Sequence, residues 1–283
     1  TGFGRVTYAG NNLGNPFSVN ATYTDVLPSL NLIFQLPAQQ VLRTGLARQA
    51  ARPRMDDLSA GFGYGVNRTP SGGGGPRWEA GGGNPTLRPW IANAFDLSYE
   101  KYFGGKGYVA AAFFFKDLKN YIARQPVAYD FTGLPVPTDV TVLPASRIGV
   151  YTRPVNGQGG FMAGWELSAS IPFEMFWAPL EGFGAQASYT DTRTSIDPSL
   201  LGLSSIPGFS RYTSNLTLYW ERYGWGVRAT QRTRSSYVGE GINVFLDPEY
   251  PTIGAEKIVD LQVSYTVQSG PFQNLGFLLQ MAN

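Results

Sequence analysis

Arginine and aromatic side chains are the groups of this chain best suited to hold a ligand. Arg228, Arg232 and Arg234 fall on one polar face of a single strand pattern and rise toward a long connection, and Asp260 and Gln262 lie on the inward face of the next strand. Arginines and acids so placed form either a charge ladder along a wall or a direct contact to substrate. Arg48, Arg52 and Arg54 climb outward at the end of another strand. Trp78, Trp90, Tyr129, Tyr151, Arg153, Arg211 and Tyr237 join them in an external surface rich in aromatic rings and guanidinium groups. Guanidinium forks hold carboxylate or phosphate, and aromatic faces stack on sugars or planar ligands. Aromatics at loop tips also pack on one another, so ligand contact and mutual packing both stand at this level.

Covalent chemistry has little to work with. The chain has 0 His and 0 Cys, which removes a Cys/His zinc site, a disulfide framework and a His-dependent triad. Gly61-Phe62-Gly63-Tyr64-Gly65 has a GxGxG spacing without a βαβ unit, and Ser71-Gly72-Gly73-Gly74-Gly75-Pro76 lacks the lysine of a phosphate loop. Both read as flexible turns. Asp56-Asp57, Asp191/Asp197 and Asp247/Glu249 lie in or beside long connections, as solvated loop charge or as oxygen ligands for Ca2+. The sequons at Asn20, Asn67 and Asn215 matter only in a secreted eukaryotic protein, and Asn215 sits mid-strand. A net charge of +2 argues against bulk nucleic-acid binding. No enzyme and no cofactor are expected.

The elements that must position these residues are strands. The 283 residues include 35 Gly and 20 Pro, and charged residues make up only 15%, against about 25% in a soluble domain. Hydrophobicity alternates with period two. Leu216, Leu218 and Trp220 oppose Asn215, Thr217, Tyr219 and Glu221, and Val259, Leu261, Val263 and Tyr265 oppose Asp260, Gln262 and Ser264. Ten such segments are predicted: Ser29–Leu36, Val41–Ala50, Ala94–Phe103, Tyr108–Leu118, Phe161–Pro172, Gly182–Thr192, Arg211–Glu221, Gly224–Arg234, Glu256–Val267 and Leu275–Met281. Lengths of 9–11 residues suit a tilted strand crossing a bilayer. No apolar run is long enough for a transmembrane helix, the best being Tyr108 to Phe115.

The connections alternate in length. Short ones fall at Pro37–Gln40, Gly104–Gly107, Phe173–Glu181, Arg222–Tyr223 and Gln268–Asn274, and long ones at Ala51–Asn93, Lys119–Gly160, Arg193–Ser210 and Ser235–Ala255. Brief turns on one side and extended loops on the other are the asymmetry of an outer-membrane barrel. Tyr102, Phe103, Phe173, Phe176, Trp177, Trp220, Tyr223, Trp225 and Phe272 crowd the short-turn ends, as an interfacial girdle or as the plug of a soluble sandwich. The near absence of charge from the apolar faces favours the girdle, since lipid-facing Lys or Arg at mid-depth costs about 2–4 kcal/mol. Lys101 is the exception and sits where it can snorkel. The expected fold is all-β, an antiparallel transmembrane β-barrel or a portion of one, in a single domain over residues 1–283.

Several motifs, in order, resemble the C-terminal part of the barrel of TonB-dependent outer-membrane receptors, particularly the Xanthomonas/Caulobacter-type branch. Leu27-Pro28-Ser29-Leu30-Asn31 is similar to the family's LPSLN start of a descending strand, and Leu42-Arg43 through Arg52-Pro53 and Leu58 to its next segment. Gly83-Asn84-Pro85-Thr86-Leu87-Arg88-Pro89 resembles its GNPxLxP signature, which leads through Asn93 to Tyr102-Phe103, and Phe115-Lys116-Asp117-Leu118 resembles the strand that follows. The resemblance covers nearly the whole chain. It implies a 22-stranded barrel around a plug domain, set in outer-membrane lipid, taking up a ferric siderophore, cobalamin or an oligosaccharide by a plug movement driven through the TonB complex. It also marks the chain as a fragment, with the plug expected before Thr1 and a closing strand after Asn283. A passive porin-like channel and a secreted all-β glycan-binding module are the rival readings.

The register itself is testable, because a slip by one residue exchanges the two faces of a strand. With single Val263→Cys and Gln262→Cys substitutions carrying spin labels, the label at 263 is expected to meet lipid-soluble oxygen and the label at 262 a water-soluble relaxant. The reverse pattern overturns this register.

Overall fold

The computed structural model describes residues 19–70, 75–103, 106–137, 141–197, 206–239, 241–242 and 248–282. Most of the Gly-rich stretch at 71–76, the turn glycines 104 and 105 and Asp247 lie outside the described residues. Ten strands run as an antiparallel meander: β1 (Ser29–Leu36), β2 (Gln40–Ala51), β5 (Trp90–Phe103), β6 (Gly107–Asp130), β7 (Ile148–Pro172), β8 (Phe183–Thr194), β9 (Tyr212–Arg222), β10 (Trp225–Arg234), β15 (Glu256–Thr266) and β16 (Gly276–Met281). The expected segments match these strands in number and order. The hairpin β3 (Phe62–Asn67) and β4 (Arg77–Gly82) leaves the meander, and β4 lies parallel to the upper part of β7. Two small pairs complete the set, β11 (Tyr237–Val238) with β14 (Thr252–Ile253) and β12 (Gly241–Ile242) with β13 (Pro248–Glu249).

Turn chemistry explains the short rim. Between β9 and β10 the chain reverses at Tyr223 and Gly224, both at positive φ (54° and 81°), as a two-residue hairpin turn matched to strand twist requires. Between β7 and β8 two single 3-10 turns, Phe173–Met175 and Ala178–Leu180, present the aromatics Phe176 and Trp177. Lys106 crosses from the β5–β6 turn to Glu174 at 2.9 Å, holding the Glu174 carboxyl below the usual range and the Lys106 ammonium above its own.

The pleat sorts side chains into two faces. Leu167 and Trp165 on β7, Leu216 and Leu218 on β9, Val227 on β10 and Leu261 and Val263 on β15 share the convex face through the register of the ladder, and all are exposed. Trp165 is 58% and Leu218 50% accessible, far beyond the apolar patch a water-soluble monomer tolerates. Polar residues occupy the concave face. There Gly184 makes room for the Tyr219 ring, since a Cβ would lie 2.3 Å from its Oη.

Two predicted loops are corrected. Lys119–Gly160 is mostly strand: β6 and β7 stay paired up to Asp130 and Ile148. Ala51–Asn93 contains the β3–β4 hairpin and the first residues of β5. The upper halves of β6 and β7, with β4 and β3, form a sheet above the membrane zone and carry the chain's main core. Trp78 and Phe131 are 1% and 0% exposed, Ala80 and Tyr151 are buried with them, and Phe62, Tyr64, Val66, Val127, Tyr129 and Leu134 pack around. Gly149 admits β4, because a Cβ there would lie 2.3 Å from the Trp78 carbonyl oxygen.

Truncating Trp78 empties the centre of this core. Trp78→Ala is expected to cost the outer module about 3–5 kcal/mol. Amide exchange in β3 and β4 should accelerate while β8–β10 keep their protection. Unchanged exchange in β3 and β4 would show that the core does not hold the hairpin.

Candidate ligand-binding mouth and concave wall

The concave wall begins as a set of cross-strand ion pairs. Arg43 on β2 donates through Nε to Glu100 Oε1 at 3.0 Å, and the Tyr102 hydroxyl donates to Glu100 Oε2 at 2.8 Å. Farther round the wall, Arg228 Nε donates to Glu221 Oε1 at 2.9 Å and Arg232 Nη2 to Asp260 Oδ2 at 2.7 Å, with the Thr217 and Thr230 hydroxyls 2.9 Å apart on the same face. The sequence placed Arg228, Arg232 and Asp260 on one polar face. The structure pairs Arg232 with Asp260 and gives Arg228 a carboxylate on β9 instead. Partly exposed pairs of this kind contribute about 0–1 kcal/mol each. They keep the wall near neutral without locking it.

A trough of about 930 Å3 runs along this face, lined by Arg43, Asp96, Lys116, Glu166, Thr192 and Arg234 among others. The 208–210 stretch folds over its outer end. Gly208 N donates to Val238 O at 2.7 Å, and the Ser210 hydroxyl lies 3.0 Å from Ser235 O and 2.9 Å from Ser235 Oγ. Arg234 completes the mouth. Its guanidinium carbon stands 3.7 Å above the Tyr237 ring and its Nη2 lies 3.4 Å from Gly208 O. Arg234 is thus held by a ring face and a carbonyl oxygen, whereas Arg232 is held by a carboxylate. A guanidinium held in the first way keeps its whole charge for an incoming anion.

The other expected residues lie elsewhere. Arg211 reaches Asp191 Oδ2 at 3.7 Å on the neighbouring strand. Arg48 extends β2 on the convex face, in line with Leu42 and Leu46. Arg52 and Arg54 follow β2, and Arg54 Nη2 pairs with Asp56 Oδ2 at 2.9 Å. Burial raises the Asp56 carboxyl, but backbone N–H groups and Arg54 outweigh it and hold the group below its ordinary value. Trp90 opens β5 with its ring 5.2 Å from that of Tyr121. Trp78, Tyr151 and Tyr129 are packed within the outer core. Phe131 stacks on Trp78 at 5.7 Å, Arg147 sits 4.9 Å over the Trp78 ring and Arg153 lies 5.3 Å from the Tyr151 ring. Burial pushes the Tyr151 hydroxyl above its usual range, with Arg153 opposing, and that hydroxyl donates to Gly83 O at 2.7 Å. Among the described residues no group of three carboxylates converges on a possible metal position.

Sequence reasoning missed the asparagines that pin the Gly83–Pro89 motif. Asn84 Nδ2 donates to Pro154 O at 2.9 Å while its Oδ1 accepts from Thr86 N and Thr86 Oγ1. Asn156 exchanges two 2.9 Å hydrogen bonds with the backbone of Arg88, and Asn120 exchanges two with Ile91 N and Pro89 O. Leu87 is buried between them. The Asn84-Pro85 pair and Asn120, midway along β6, were the available signals, but their partners lie too far off in sequence to be read.

An antiparallel meander with an apolar convex face, a charged concave face, tight turns at one rim and tall hairpins at the other is a wall of a membrane-spanning β-barrel with a loop-built mouth. A model of the TonB-dependent receptor-like β-barrel matches residues 3–283, and the chain belongs to that family. No curated protein matches the chain in sequence. Among solved structures, a double mutant of the ferric enterobactin receptor PfeA of Pseudomonas aeruginosa is similar at TM-score 0.59 and 19% identity, covering 84% of this chain and 32% of that one. A PfeA mutant in complex with enterobactin is similar at TM-score 0.59 and 20% identity, with the same coverage. The siderophore receptor PirA of Acinetobacter baumannii follows at TM-score 0.58 and 17% identity, covering 85% and 34%. The chain spans about a third of the length of these structures, and the likeness carries the fold.

Removing the Asn84 amide leaves buried backbone groups unpaired at about 1–3 kcal/mol. Asn84→Ala is expected to open residues 83–90 to limited proteolysis while Asn67→Ala, at the exposed end of the β3–β4 hairpin, does not. Equal resistance in both variants would remove Asn84 as the pin.

Proposed function

We propose that this chain is barrel wall from an outer-membrane TonB-dependent receptor that takes up a scarce, bulky nutrient, and that the nutrient is an anionic ferric siderophore. The observation that carries the reading is the mouth itself, where Arg234, stacked on Tyr237 rather than matched by a carboxylate, stands at the outer end of the trough on the concave face. Cobalamin and neutral oligosaccharides, the other nutrients suggested by the resemblance, make less use of that charge. The siderophore receptors that share the fold support the choice.

Two further parts belong to the proposal. The edges β1 and β16 each have one neighbour among the described residues. Open edges are not tolerated in lipid, so further strands of a longer protein close the wall. A plug domain of the same protein fills the lumen and contacts the concave face, and the TonB complex moves it. No covalent chemistry is assigned to the protein, which is a transporter rather than an enzyme.

The test uses the full-length gene product in detergent, with ferric enterobactin, cyanocobalamin and maltohexaose as probes and intrinsic tryptophan fluorescence as readout. Ferric enterobactin is expected to bind, and Arg234→Gln or Tyr237→Ala to weaken it by about tenfold or more, the scale of one lost charge-assisted contact. Binding of maltohexaose or cyanocobalamin alone would overturn the siderophore assignment. Uptake that persists without TonB would overturn energised transport in favour of a passive channel.

A further inference from the structure

The trough on the concave face carries a charge that an anion at its mouth does not use. Among the described residues, Asp96, Lys116, Glu166 and Arg234 line it outside any ion pair, whereas Arg43 is engaged by Glu100. Asp96 on β5 faces Phe114, and Lys116 on β6 faces Ala94, which makes the two charges diagonal neighbours. Residues so placed are about 7–8 Å apart, and these two offset one another. Glu166 on β7 has no such neighbour. It is exposed, and every residue beside it on this face is uncharged: Ala110, Ala112 and Phe114 on β6, Ser188, Thr190 and Thr192 on β8.

The ladder fixes where this carboxylate stands relative to the arginine at the mouth. Glu166 faces Thr190, Thr190 faces Thr213 and Thr213 faces Arg234, so both charges belong to one cross-strand row. Three strand spacings separate their backbones by about 14 Å. Threonines alone lie between them in that row, and both charged side chains line the same cavity of about 930 Å3. Arg234 also has an acid opposite it in the register, Glu256 on β15, but turns to the Tyr237 ring and makes no ion pair with it.

We propose that the trough takes a zwitterionic ferric chelate, with its anionic group at Arg234 and a pendant ammonium group at Glu166. The assignment rests on the siderophore reading above and narrows it. A purely anionic chelate satisfies Arg234 but sets like charge toward Glu166, whereas an ammonium group there makes a charge-assisted hydrogen bond. Its remaining donors match the hydroxyl oxygen of Thr190 on the adjoining strand.

The experiment titrates the full-length protein in detergent by tryptophan fluorescence. The probes are linear ferrioxamine G, a ferric trihydroxamate with a terminal ammonium and a terminal carboxylate, and its N-acetyl derivative, which lacks the ammonium alone. The parent is expected to bind the free-amine form about tenfold or more tightly than the N-acetyl form, the scale of one charge-assisted contact. Glu166→Gln should abolish that preference by weakening the free-amine form alone, while Arg234→Gln weakens both forms. Glu256→Gln should keep the preference. Equal affinity of the parent for the two forms overturns the proposal, an arm that needs no variant to fold. So does a preference that survives Glu166→Gln, or equal weakening of both forms by that variant. Binding of ferric enterobactin without binding of the free-amine form also overturns it, and leaves the siderophore reading standing. A parent that binds cyanocobalamin or maltohexaose and no ferric chelate overturns both.

Discussion

A peptide group in hydrocarbon has no water to turn to, so each N–H and C=O of a membrane-spanning segment must find its partner in the chain. The meander from β1 to β16 meets that demand strand by strand, with antiparallel registers that are continuous but for one skipped pair, Lys119 and Gly159, between β6 and β7. Everything else follows from this ladder. It fixes the pleat, the pleat sends successive side chains to opposite faces, and the faces meet different surroundings. Arg232 and Asp260 meet because β10 and β15 are in register, and Leu218 and Val263 face outward for the same reason.

The ladder does not stop where the membrane does. In β6 and β7 it runs on into water, where an aromatic face can no longer stay bare. Trp165, low on β7, is 58% exposed on the convex face, whereas Trp78, beside the upper part of the same strand, is 1% exposed. The difference lies in the solvent each face was built for. Lipid covers the first ring, and protein must cover the second, which is why the β3–β4 hairpin and the segment after Phe131 fold over the upper sheet.

This change of solvent also decides what a sequence discloses. Within the bilayer one face is largely apolar, so Tyr212–Arg222 and Glu256–Thr266 are legible from alternation alone. Above it both faces carry mixed residues, and Lys119–Asp130 includes Pro126, so the period disappears although pairing with β7 continues. Pro126 is tolerated because β5 ends below it and leaves that side of β6 as an edge. The candidate site divides the same way. Arg234 and Tyr237 are near neighbours in sequence and meet in space. Trp78 and Tyr151 bear the same residue types as a ligand cage, but their neighbours Phe131 and Gly83 lie far along the chain. Only the fold shows that those rings serve packing and hydrogen bonding.

The electrostatics of the wall then follow a single logic. Three ion pairs cross strands on the concave face, Arg43 with Glu100, Arg228 with Glu221 and Arg232 with Asp260, while Asp96, Lys116 and Glu166 line the trough outside these pairs. The paired groups offer little net charge to a passing anion. Charge left without a matching carboxylate therefore acquires meaning from where it stands. Arg234 stands at the mouth, over the Tyr237 ring and beside the Gly208 carbonyl oxygen, with no carboxylate against it. Lys119, Arg193 and Arg211, by contrast, are engaged by Asp117 and Asp191 toward the outer end of the convex face. One ladder thus presents side chains to two surroundings, the lumen and the lipid, and its register decides which side chain serves which.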